Sequence, residues 1–189
     1  MSISLPKSMH PSAICSAALQ VASVVCVWII FYRVSGVVFS YFEYNHDTFW
    51  VFLPAGVRLV AVMLFGWVGV VGLFIGSALT NDDVRLSHVL LLSAVSSLAP
   101  KLALISGRRL LNLHPTLDSL QPIDLIILAL IASCFNAIMT VSLFHLLGES
   151  QLLFNLLPMF LGDLVGTFMV FYLAVFGFWL ARRWFMPPL

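Results

Sequence analysis

The sequence predicts an all-α integral membrane protein, a polytopic helix bundle with about six membrane segments, and three observations carry that prediction. Hydrophobic residues make up 61% of the 189-residue chain, where a soluble domain carries about 45–50%. Charged residues make up only 9%, against about 25% in soluble domains, so there are too few polar atoms to cover a water-facing surface. The apolar residues also fall in long blocks joined by short links. No polar region is large enough for a second domain, and residues 1–189 read as a single transmembrane domain with the lipid bilayer as its solvent. A formal net charge of +1 without a basic stripe argues against a nucleic-acid partner, because phosphate binding needs clustered basic side chains. Cys15, Cys26 and Cys134 all sit in apolar runs and read as small packing residues, not as metal ligands or disulfides.

The first segment, residues 12–42, exceeds the roughly 20 residues that cross about 30 Å of hydrocarbon. It is also longer than the apolar core of a signal peptide, about 7–15 residues, and it follows a single lysine, Lys7. It reads as an uncleaved first span, tilted or extended past the interface. The next block, 49–79, contains Pro54 and glycines at 56, 66, 69, 72 and 76, which disfavour one straight helix. Breaks at Pro54 and Gly66 divide it into short segments of about 50–65 and 66–80. Two arrangements fit: two thin spans, or a hairpin of half-helices shielded by its neighbours.

Three clearer segments follow, about 88–109, 123–148 and 156–182, two of which end in the pairs Arg108-Arg109 and Arg182-Arg183. The linkers hold Glu43, Asp47, Asp82, Asp83 and Glu149. Six segments with the N-terminus inside place Lys7 and both arginine pairs in the cytoplasm and leave only Arg85, among loop residues, on the other side. A five-span alternative with the N-terminus outside misplaces only Lys7, so the charge rule favours six segments with both termini cytoplasmic by a small margin.

Ionisable groups within spans are the informative ones, since each costs about 2.5–3.5 kcal/mol at a helix centre. Arg58, Lys101 and Asp163 qualify, whereas Arg33 is close enough to a span end to snorkel. Counted from the outer side, Arg58 lies a few residues into the second segment and Asp163 a turn or two into the last. A guanidinium and a carboxylate at matching depth are expected to pair, either as a structural staple or as part of a ligand site. Pro54-Ala55-Gly56 begins a helix immediately before Arg58, and its free backbone N–H groups suit an anion, although Pro54 also fits as an ordinary first-turn residue. Ser93, Ser97 and Lys101 are spaced by four on one helix face. A serine beside a desolvated lysine is a nucleophile arrangement, but the carbonyl freed by Pro100 accounts for the hydroxyls without chemistry. No enzymatic activity, cofactor or metal site is expected.

Gly66, Gly69, Gly72 and Gly76 form a bare stripe, and Gly72/Gly76 and Gly162/Gly166 share the four-residue spacing of close helix contacts. These two faces are expected to meet each other or to pack against other spans. Asn136, in mid-segment, suits an interhelical hydrogen bond. His145 and Glu149 are placed to pair across one turn, the remaining histidines are too dispersed for a metal, and Trp50, Trp67, Trp179 and Trp184 read as interfacial anchors.

Leu53-Pro54-Ala55-Gly56-Val57-Arg58, then Leu64-Phe65-Gly66-Trp67 and Gly72-Leu73-Phe74-Ile75-Gly76, resemble the first class of bacterial membrane-associated sensor (MASE) domains. Those domains carry a PAG start, a short leucine-rich helix ending in Gly, and a GxFxG stretch. Phe160-Leu161-Gly162-Asp163-Leu164-Val165-Gly166 is similar to the family's GDxxG motif. The resemblance implies a sensory module of the bacterial inner membrane, with Pro54, Gly56, Arg58, Gly162, Asp163 and Gly166 as motif positions. In the family such modules are usually fused to histidine kinase or cyclic-di-GMP enzyme domains and carry more spans. This chain shows no output domain, so it is expected to act through a separate protein partner. The alternative is a substrate-binding membrane subunit of an energy-coupling transporter for a small solute, which also has about six spans in a chain of this size.

Overall fold

The computed structural model describes residues 11–39, 43–45, 48–81, 85–113, 120–148 and 152–185. Six helices account for nearly all of them: α1 (Pro11–Val38), α2 (Pro54–Phe65), α3 (Trp67–Thr80), α4 (Leu86–Leu110), α5 (Pro122–Leu146) and α6 (Leu152–Phe185). Four helices are long and apolar enough to cross a membrane, over Ser12–Val38, Leu86–Leu110, Pro122–Leu146 and Asn155–Leu180. Between α1 and α2 lies a short antiparallel ribbon, β1 (Glu43–Asn45) and β2 (Thr48–Phe49), with Glu43 opposite Phe49 and Asn45 opposite Thr48.

The first helix therefore stops at Val38, short of the expected 42. Its 28 residues already give about 42 Å at about 1.5 Å each, more than the hydrocarbon thickness, so the span is complete by Val38. The second segment begins at Pro54, as the break at that proline predicts, and neighbouring helices hold residues 51–53 ahead of it. Ser35 Oγ of α1 donates to Val51 O at 3.2 Å and accepts from Leu53 N at 3.4 Å, while Phe52 N donates to Gly162 O of α6 at 3.0 Å.

The block from 49 to 79 breaks at Gly66, whose φ of 57° and ψ of −123° strain any side chain. The bend is sharp enough that a Cβ on Gly69 would strike the Ala61 carbonyl. With 12 and 14 residues, α2 and α3 reach about 18 and 21 Å, each short of the bilayer core. Eight of the twelve residues of α2, Pro54 to Leu59 with Ala61 and Val62, are buried. It touches all five other helices. A half-helix survives at membrane depth only under such a protein shell.

The glycine faces pack against other elements, not against each other. Gly72 lies against Val24 and Gly76 against Trp28, so α3 runs alongside α1 in the same direction. That contact is fixed by Trp28 Nε1 donating to Thr80 Oγ1 at 2.9 Å. Gly166 instead faces the Phe52 carbonyl, and Gly56 of α2 sits against Val170 of α6, where a Cβ would come within 2.5 Å of the valine Cβ. Large apolar side chains, including Leu19, Leu79, Leu146 and Val175, cover the outer surface, as lipid permits and water would not. Cys15, Cys26 and Cys134 are free and exposed on that surface, correcting their assignment as packing residues.

Because the atom facing Gly166 is backbone and cannot rotate away, Gly166→Val should cost at least the roughly 1–3 kcal/mol typical of overpacking. Gly177, on the same helix with nothing within 4 Å of a Cβ, should accept valine without loss. Thermal unfolding of the two purified variants in one detergent checks the contrast; equal stabilities would contradict this packing.

Candidate functional site

The three ionisable residues within the helices separate into two places. Arg58 and Asp163 come together, each only 5% exposed. Arg58 Nη2 donates to Asp163 Oδ1 at 2.6 Å, its Nη1 donates to Asn136 Oδ1 at 2.6 Å, and Asn136 Nδ2 donates to Asp163 Oδ2 at 2.6 Å. These bonds close a ring in which α2, α5 and α6 each supply one member. Ser96 of α4 accepts a longer bond from Arg58 Nη1 at 3.5 Å, and the Phe52 ring lies 5.4 Å from the guanidinium carbon, a cation–π distance. The ring is electrically neutral, and each carboxylate oxygen of Asp163 receives a charge-assisted or amide hydrogen bond.

The members of the ring lie at matching positions along their helices. Ser96 follows Leu86 by ten residues, Asn136 precedes Leu146 by ten, and Asp163 follows Leu152 by eleven. These three helix ends lie on the same side of the bundle, so the ring sits about 15 Å along the helices from them.

Asn136 belongs to this site, although from the sequence it is only one more mid-span amide. Its signal was its depth, which matches that of Asp163 from the adjoining helix end. The α2 N-terminus, in contrast, does not present its amides to an anion. Ala55 N donates to Phe52 O at 3.1 Å and Gly56 N to Leu53 O at 3.1 Å, with Pro54 supplying no N–H.

Lys101 lies elsewhere. Its Nζ is 5.2 Å from the Trp67 ring centroid and 3.9 Å from where a Gly66 Cβ would be. The ammonium thus sits at the C-terminal end of α2, where backbone carbonyls present partial negative charge. Trp67 serves as its partner at the α2–α3 junction as well as an exposed aromatic. Ser97 Oγ donates to Ala94 O at 3.1 Å, not to the lysine, so the serine–lysine nucleophile arrangement is not formed. Pro54 opens α2, and Gly56, Gly66, Gly72, Gly76 and Gly166 serve the close contacts and the turn described above, while Gly162 supplies a backbone carbonyl. Glu149 lies outside the described residues, as does the pairing expected for it with His145. Among the described residues, no group of three or more His, Cys, Asp or Glu side chains is arranged to hold a metal.

A small cavity adjoins the ring, lined by Arg58, Pro100, Ser133, Asn136, Asp163 and Thr167 among others, with about 10 Å³ open to the centre of a water-sized sphere.

A multi-pass helical bundle whose PAG half-helix is locked to a GDxxG span by a buried polar ring defines a membrane-embedded helical domain. The chain belongs to the MASE1 family, a family of membrane-associated sensor domains, whose model matches residues 13–188. The match covers nearly the whole chain and includes both motifs. No curated protein and no solved structure matches the chain.

Breaking a buried ion pair by removing one partner costs about 3–5 kcal/mol, because the other charge is stranded. Arg58→Ala and Asp163→Ala should each lose about that much stability, and the double variant should lose little more than either alone. Arg58→Met with Asp163→Leu should recover much of the loss. Unfolding midpoints of the four proteins check the coupling, and additive losses would show that the two residues act independently.

Proposed function

We propose that this domain is a non-enzymatic sensory module of the bacterial cytoplasmic membrane, with both termini cytoplasmic, which relays a ligand or envelope signal to a separate protein partner. The observation that carries this reading is the closed Arg58–Asn136–Asp163 ring within a MASE1-family chain. A half-helix held in the bundle by one polar ring has few ways to move, and each of them disturbs the ring. A signal that shifts α2 relative to α5 and α6 therefore has a defined element to act on, as a switch requires. Lipid is one partner of this domain; the protein partner is of the kinase or cyclic-di-GMP enzyme class to which family members are usually fused. Nucleic acid is no partner, given the absence of a basic stripe in the sequence.

The sensory reading is preferred to solute uptake because the cavity at the ring accommodates about one water, not an organic solute. The same residues, Arg58 and Asp163, serve either reading, so the experiment must separate them. In native membranes, the tagged protein should co-purify with a kinase or cyclase whose activity in liposomes changes at least several-fold when Arg58 and Asp163 are replaced together by Met and Leu. Vesicles containing the protein should show no Arg58-dependent accumulation of solute. Accumulation with no effect on any co-purified enzyme would establish the transport reading instead.

A further inference from the structure

Ser133 is a second polar feature of the same region that the ring does not use. Its side chain is 2% exposed, it lines the cavity beside Arg58, Asn136 and Asp163, and its Oγ has no hydrogen-bond partner among the described residues. A buried hydroxyl left in that condition costs about 1–3 kcal/mol. The cavity is also the right size: about 10 Å³ open to a probe centre approaches the lower bound, about 10–15 Å³, for one water.

A buried water needs two to four polar partners, and the lining supplies them. Asp163 is an acceptor at both oxygens, each with lone pairs beyond its one bond to Arg58 or Asn136. Arg58 has five N–H donors, and its bonds to Ser96, Asn136 and Asp163 leave donors over. Thr167 Oγ1 donates to Asp163 O at 2.7 Å, which leaves its lone pairs as acceptors. The remaining lining, Ala55, Pro100 and Ala132, is apolar.

We infer that this cavity is a binding site for a single water molecule that joins Ser133 of α5 to the Arg58–Asp163 pair of α2 and α6. The inference stands on geometry and does not depend on the sensory reading. The bound water makes α5 a partner of the pair twice over, through Asn136 directly and through Ser133 by the water. Any motion that parts α5 from α6 then releases or admits water within the bundle.

The sign of one substitution tests the site. If Ser133 Oγ were an orphan hydroxyl, Ser133→Ala would be neutral or stabilising, since a desolvated unpaired group is removed. If it holds the water, Ser133→Ala strips a partner from that water and should lower the unfolding midpoint of the full chain by about 2–4 °C, the shift that roughly one hydrogen bond makes in a chain of this size. Ser93 is the reference: its Oγ is also unpartnered among the described residues and its side chain fully buried, but it does not line the cavity. Ser93→Ala should leave the midpoint unchanged or raise it. An unchanged or raised midpoint in Ser133→Ala, or equal losses in the two variants, would overturn the inference.

Discussion

A guanidinium inside a lipid-embedded bundle must find an anion at hydrogen-bond distance, and it must find further acceptors for the donors the anion leaves over. Arg58 meets both demands at once. Asp163 supplies the charge and Asn136 accepts from the second Nη while donating to the free carboxylate oxygen, so neither member of the ion pair is left with an open side toward Asn136. Because the partners lie on α5 and α6, the charge on a helix of twelve residues determines where two much longer helices stand relative to it. In water the same three side chains would be solvated separately and would specify almost nothing. In a low-dielectric bundle the alternatives are costly enough to select one arrangement.

The small residues make that arrangement reachable. Side chains of ordinary size at Gly56 and Gly166 would hold α2 and residues 52–53 away from α6, and the 2.6 Å contact between Arg58 and Asp163 would open. Glycine and charge therefore act together: bare backbone provides the approach and the ring provides the registration. Gly66 and Lys101 do the corresponding work at the other end of the half-helix, one by adopting a φ of 57° at the turn and the other by placing a cation against the carbonyl end.

Much of this was legible in the sequence. The apolar blocks read as helices, the break within 49–79 falls at Gly66 with α2 running from Pro54 to Phe65, and Arg58 and Asp163 stand out because lipid rejects them singly. What periodicity and spacing do not carry is which way a bare face points. Gly72 and Gly76 meet Val24 and Trp28 of α1, and Gly166 meets the backbone of Phe52, and nothing local in a GxxxG pattern distinguishes these partners. Asn136 was legible as an interhelical hydrogen-bonder but not as a partner of the ion pair, and Ser133 not at all, because an uncharged polar residue in a span costs too little to demand an explanation by itself.

The chain order of the ring has a consequence for how the protein is made. Arg58 and Asp163 are separated by 105 residues, so the ribosome delivers the arginine long before its anion. During that interval α2 is too short to be accepted by the bilayer as an independent crossing and carries a charge that lipid opposes. The pair can close only once the last long helix has been made, more than a hundred residues after the segment that carries the arginine.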